Sequence, residues 1–98
     1  MAIKINCINK DNGDHYDPHE AIINLGWLEE ATNKHGVNTR LEMVAFIENE
    51  GGQAYVKDAY GNKAYLVVRE SPWGNKYMKT MADGRETNNL LALSECQR

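Results

Sequence analysis

The stretch from Gln53 to Met81 constrains the fold more than any other part of the chain. It reads as three alternating segments separated by two five-residue loops. QAYVKD sets Tyr55 and Lys57 against Ala54 and Val56. KAYLVVRE sets Lys63, Tyr65, Val67 and Arg69 against Ala64, Leu66 and Val68. NKYMKTM sets Tyr77, Lys79 and Met81 against Lys76, Met78 and Thr80. A period of two is the pattern of a half-buried strand. Each loop, 58–62 and 71–75, holds an aromatic residue followed by Gly-Asn and then Lys. Gly and Asn tolerate positive φ at little steric cost, so the repeated phrase is first of all turn chemistry. It is too short for an architectural repeat. The expected product is an antiparallel meander.

The remaining segments add a helix and further strands. AIKINCIN, residues 2–9, alternates Ile3, Ile5 and Cys7 against Lys4 and Asn6 until Ile8 breaks the phase, which predicts a first strand. Residues 10–18 form a polar turn cluster. Residues 21–25 are ambiguous. Asp17, Pro18 and Glu20 look like a helix start, yet Ile23, Leu25 and Trp27 alternate and Gly26 weakens a helix, so a short strand is expected. ATNKHGVN reads as loop. TRLEMVAFIENEGG predicts a helix over 39–50: Thr39 and Glu42 form a capping box, Leu41 and residues 43–47 an apolar stripe, and Gly51-Gly52 a left-handed stop. ADGRETNN reads as loop, and LLAL, 90–93, as an apolar run closing the core edge. The expectation is an α+β fold, one domain over 1–98, with a small antiparallel sheet of four to five strands and one main helix on one face. Its core is Ile3, Ile5, Leu41, Val44, Ile47, Val56, Leu66 and Val68.

The net charge of −3 is unevenly spread. Residues 1–52 carry net −5, residues 53–81 net +3 and the remainder net −1. The whole chain is therefore poorly suited to nonspecific polyanion binding, whereas the central segment suits a small anion. The sequence shows no leading apolar run of the signal-peptide kind and nothing near the ~20 apolar residues of a membrane span. A cytoplasmic setting follows as the default, with no membrane partner and with Cys7 and Cys96 as free thiols, a bridge staying geometrically open if strands near the two termini are neighbours.

Catalytic and metal signatures are sparse. His15 and His19 are four apart, but Pro18 forbids a regular helix through them. Neither Cys-x-x-Cys nor His-Glu-x-x-His occurs. Asp14, Asp17 and their neighbours do not match a calcium loop. Ser71 and Ser94 lie outside any nucleophile elbow. Cys7 reads as a small hydrophobe, and Glu95 disfavours a thiolate at Cys96. No Walker or dinucleotide fingerprint is present. The expected protein is not an enzyme and uses no cofactor.

What the late strands do offer is a face of Tyr55, Lys57, Lys63, Tyr65 and Arg69, joined by Tyr77 and Lys79 if register allows. Rings interleaved with cations suit a nucleotide: π-faces for the base and charge for the phosphate. The structural alternative is an ordinary half-exposed sheet, in which Tyr is favoured and Lys protects edges. A second function class is a protein-interaction domain, acting through Trp27 and Trp73 on loops or through the acidic N-terminal half. Homo-oligomerisation is left open.

KYMKTMADGRETNNLLALSEC resembles the C-terminal part of DUF3892, a bacterial and phage family of unknown function. The matching positions are Lys76, Tyr77, Met78, Thr80, Ala82 to Gly84, Asn89 to Leu91, Leu93 and Cys96. Residues 5–10 and 18–22 are similar too. Ser94 and Asn88 depart from the Pro and Asp of the family pattern. The resemblance supports a strand at 21–25 and implies no activity. Its phage members make sequestration of a signal nucleotide a conceivable role.

Overall fold

A computed structural model of the chain describes residues 2–11, 18–82, 84–87 and 89–96. Its elements are β1 (Ala2–Lys10), a 3-10 turn (Pro18–Ala21), β2 (Ile22–Glu29), β3 (Lys34–Thr39), α1 (Arg40–Asn49), β4 (Gln53–Lys57), β5 (Lys63–Glu70), β6 (Lys76–Ala82) and β7 (Arg85–Thr87). Asp14, His15 and Asp17 lie outside the described residues.

The strands form a seven-stranded sheet in the order β3-β2-β1-β4-β5-β6-β7. This corrects the expected four to five strands. The first three strands make one meander and the last four another. Helix α1 carries the chain back across the sheet between them, so β4 joins β1 in parallel while every other neighbouring pair is antiparallel. Two of the extra elements, β3 and β7, were expected to be loop. β3 is an edge strand with most of its side chains in solvent, so it needs no apolar alternation. β7 is three residues long and pairs only with β6.

The helix starts as its sequence dictates. Thr39 is the N-cap: its hydroxyl accepts from the Glu42 amide at 3.2 Å, and the Glu42 carboxylate accepts from the Thr39 amide at 2.9 Å. Met43 and Val44 are buried, and Phe46 and Ile47 pack beside them. Leu41 is 64 % exposed and is not in the core. At 3.6 residues per turn it sits ~140° round the helix from the centre of the Met43–Ile47 stripe.

One side of the sheet carries the core: Ile3, Ile5, Ile8, Leu25, Ala54, Val56, Ala64, Leu66 and Met78, with Met43 and Val44 from the helix and Leu90 from the C-terminal segment. Leu90 is fully buried, so the LLAL run does close the core edge. In β1 a bulge falls between Ile5 and Cys7. The extra residue resets the phase, which returns Ile8 rather than Cys7 to the helix side.

Cys7 consequently faces away from the helix, where it bonds to Cys96. The expected free thiols are thus paired. The pairing follows from the C-terminal segment, which runs alongside the end of β1: the Ile8 amide donates to the Ser94 carbonyl at 3.0 Å, and the Cys96 amide to the Ile8 carbonyl at 3.1 Å. The two cysteine Cα atoms are then 4.8 Å apart, within bridging range. Gly26 lies opposite Cys7 in β2, and a Cβ there would stand 2.2 Å from the Cys7 sulfur. The glycine that argues against a helix here is also the residue that makes room for the bridge.

Candidate ligand-binding face

Strand register settles which side chains share the helix-free side. Tyr55 lies opposite Tyr65, and Lys57 opposite Lys63. Tyr65 lies opposite Met81, Val67 opposite Lys79, and Arg69 opposite Tyr77. Directly opposed residues of antiparallel strands project to the same side. All seven residues expected from the sequence therefore lie on one face, including Tyr77 and Lys79. Ala54, Val56, Ala64, Leu66 and Met78, which alternate with them, pack on the helix side.

The face also contains residues that sequence reasoning missed. Lys4 lies beside Tyr55 through the parallel β1–β4 pairing, and Glu86 lies opposite Met81. Glu30, in the turn after β2, accepts from the Tyr55 hydroxyl and pairs with Lys57 at 3.5 Å. Lys4 was visible as a polar strand residue, but only the register with β4 puts it here. The residues named on this face comprise five cations (Lys4, Lys57, Lys63, Arg69, Lys79) and two carboxylates (Glu30, Glu86).

The three tyrosines play different parts. Tyr55 is buried; the Lys63 ammonium sits over its ring, 4.5 Å from the centroid. Its hydroxyl pKa is pushed up to about 12, chiefly by the hydrogen bond to Glu30 and then by burial. The same bond, with help from Lys57, holds the Glu30 carboxyl below its usual range. Tyr77 is buried as well, so its ring is not a stacking surface. Tyr65 is 41 % exposed, with its ring centroid 5.8 Å from that of Tyr55 and tilted by 57°. It is the tyrosine of the three that offers a ring to solvent. On its far side Arg69 pairs with Glu86 at 3.4 Å and rests against the Met81 sulfur.

The two loops flanking β5 are built alike, as their shared phrase predicts. Asp58 and Ser71 each accept, through a side-chain oxygen, the amide four residues on, at 2.9 and 3.2 Å. Gly61 and Gly74 donate back to the carbonyls of Asp58 and Ser71, with φ of +87° and +85°. This is a type I turn closed by a left-handed glycine. Each turn presents an aromatic residue just before that glycine, Tyr60 at 91 % and Trp73 at 72 % exposure. Trp27, in contrast, is not on a loop. It lies in β2, half-buried, and its indole N–H donates to Asn38 Oδ1 at 2.6 Å.

Among the described residues no group of three or more His, Cys, Asp or Glu side chains could hold a metal ion, and no helix is long and apolar enough to cross a membrane.

The family model described as Protein of unknown function (DUF3892) matches residues 4–94, and the chain belongs to that family. No curated protein and no solved structure matches it.

Proposed function

We propose that this DUF3892 protein is a non-catalytic binding domain that takes a small anionic, nucleotide-like ligand on the helix-free face of its sheet. The observation that carries this reading is the exposed Tyr65 ring with Lys57 and Lys63 on one side and Lys79 and Arg69 on the other. A base stacks on Tyr65, which Tyr55 supports from beside; such a stack contributes ~1–3 kcal/mol. Phosphate oxygens take the cations. Lys57 and Arg69 are held by exposed carboxylates, and exposed pairs contribute only ~0–1 kcal/mol, so exchanging Glu30 or Glu86 for phosphate costs little. Sequestration of a signal nucleotide is the role that fits a binder without catalytic groups.

Calorimetric titration of nucleotides and dinucleotides into the wild type and into a Lys57→Glu/Lys63→Glu variant tests the reading. Binding should disappear in the variant while its melting temperature stays close to that of the wild type. A Lys57→Ala/Lys63→Ala variant guards against repulsion from Glu30. Unchanged affinity in both variants would sink the proposal.

The second reading, a protein-interaction domain, is favoured by the exposed Trp73 and Tyr60 rings at the hairpin tips. Salt separates the two. Phosphate contacts weaken steeply as salt is added, whereas a Trp-anchored interface does not.

A further inference from the structure

A second site lies on the opposite side of the sheet. Between α1 and the β2–β3 end runs a cleft of about 440 Å³, within the size range of small-molecule pockets. Its apolar lining includes Ile3, Met43, Trp27 and Phe46; Glu42 and Glu50, both exposed, stand at its mouth. None of the described residues lining it is basic.

Each of the two rings lies against a glycine. Trp27 lies opposite Gly36, and a Cβ on Gly36 would stand 2.9 Å from the indole. Phe46 lies against Gly52, where a Cβ would stand 2.2 Å from the ring. Each glycine thus lets an aromatic ring lie close over the backbone. Trp27 is then locked in orientation: its N–H goes to Asn38, whose amide donates to Glu42 at 3.4 Å. With its one donor used, the indole offers the cleft only its π surface. Along α1 and its C-cap, Glu42, Phe46 and Glu50 follow at four-residue spacing, which places a carboxylate about one turn to either side of the ring. The backbone amide of Thr39 and the amide of Asn38 hold the Glu42 carboxyl below its usual range, so it is charged at neutral pH. Glu50 has no ion-pair partner among the described residues.

We propose that this cleft binds a small organic cation with an apolar body, such as an alkyl- or aryl-substituted ammonium. Aromatic walls attract a cation through the ring quadrupole, and the two carboxylates neutralise it at the mouth. The acidic N-terminal half and the basic meander would then serve ligands of opposite charge on opposite sides of one sheet.

The test uses the full chain carrying Trp73→Phe, which leaves Trp27 as the single tryptophan reporter. The probes are benzyltrimethylammonium, choline, and 3,3-dimethylbutan-1-ol, the uncharged isostere of choline. The cations should change Trp27 emission saturably, and the isostere should bind at least about tenfold more weakly than choline. Glu42→Gln/Glu50→Gln should weaken the cations by about tenfold while the fold persists, because Gln also serves in a capping box. Phe46→Leu should weaken the aryl cation most. Equal binding of choline and its isostere would reduce the cleft to an apolar depression and overturn the proposal. So would the absence of any saturable change up to about 10 mM probe. Tyr65→Ala on the other face should leave this binding untouched, so failure here and failure of the anion site are read separately.

Discussion

The two faces of the sheet are made from the same strands and have opposite chemistry. On the helix side, the covered alternate residues of β1 and β4–β6 are Ile, Val, Ala, Leu and Met, with Thr80 buried among them. On the other side, alternate residues of β4–β6 are mainly Tyr, Lys and Arg, with Val67 and Met81 among them, and their contacts include surface ion pairs, a cation–π contact and the Tyr55–Glu30 hydrogen bond. Burial contributes ~1.5–3 kcal/mol for each large apolar side chain, whereas exposed ion pairs contribute ~0–1 kcal/mol. Most of the stability should thus reside on the helix side, with buried Tyr55, buried Tyr77 and the Cys7–Cys96 bridge adding to it from the other. The exposed part of that second face, around Tyr65, adds little to folding and is free to keep cations and an exposed ring.

The largest effect should come from breaking the covered side. Ile8 is fully buried in the core, and Ile8→Ala should cost ~2–5 kcal/mol. In a domain of this size that lowers the melting midpoint by roughly 10–30 °C by calorimetry. Next comes the Cys7–Cys96 bridge, which closes a loop of 89 residues. Reduction should remove ~2–4 kcal/mol and free the C-terminal segment from β1. Melting with and without a dithiol reductant, beside thiol counting by mass, checks this; identical midpoints would mean the bridge adds no stability. Tyr65→Ala should do the reverse of both: a stability loss of only about 1 kcal/mol, from the ring contact with Tyr55, and at least tenfold weaker nucleotide binding.

The smallest effect concerns pH. The folded Tyr55 hydroxyl has its pKa raised to about 12 from an ordinary value of 10.0. A raised pKa means that the contribution is intact below the unfolded value and is lost as pH climbs through the folded one. Stability should therefore decline between about pH 10 and 12, and Tyr55→Phe should flatten that decline in denaturant titrations. An ultraviolet titration should show a late tyrosine ionisation that Tyr55→Phe removes.

The sequence disclosed what is decided locally and withheld what depends on distant partners. The β4–β6 meander was legible because alternation and Gly-Asn turns are short-range signals. The Thr39–Glu42 box was legible for the same reason. β3 was not, because an edge strand with Lys34, His35 and Val37 in solvent buries too little to show a pattern. Gly26 counted against a helix and the expected strand stopped at residue 25, so Trp27 read as loop; only the bridge at Cys7 explains the glycine. The expectation of free thiols came from compartment; the bridge was open only if the two ends of the chain ran side by side, and no local pattern shows that residues 94–96 lie along β1. In the candidate site, phase within a meander grouped Tyr65 with Tyr55, Lys57, Lys63 and Arg69, whereas Tyr77 and Lys79 needed the β5–β6 register. The share of Lys4 and Glu30 required the parallel β1–β4 pairing, which no local pattern encodes. The burial of Tyr55 and Tyr77 likewise depends on neighbours from elsewhere in the chain.

The central claim is that the helix-free face binds a nucleotide-like anion. Thermal unfolding against mononucleotides, linear and cyclic dinucleotides and short single-stranded oligonucleotides, at low and high salt, tests it most directly. A ligand at a hundredfold its dissociation constant stabilises by ~2.7 kcal/mol, or roughly 10–20 °C for a domain of this size. The account predicts such a shift for at least one phosphate-bearing ligand, reduced by salt and abolished by Lys57→Glu/Lys63→Glu. A flat panel, or a shift that survives both salt and the double substitution, would contradict it.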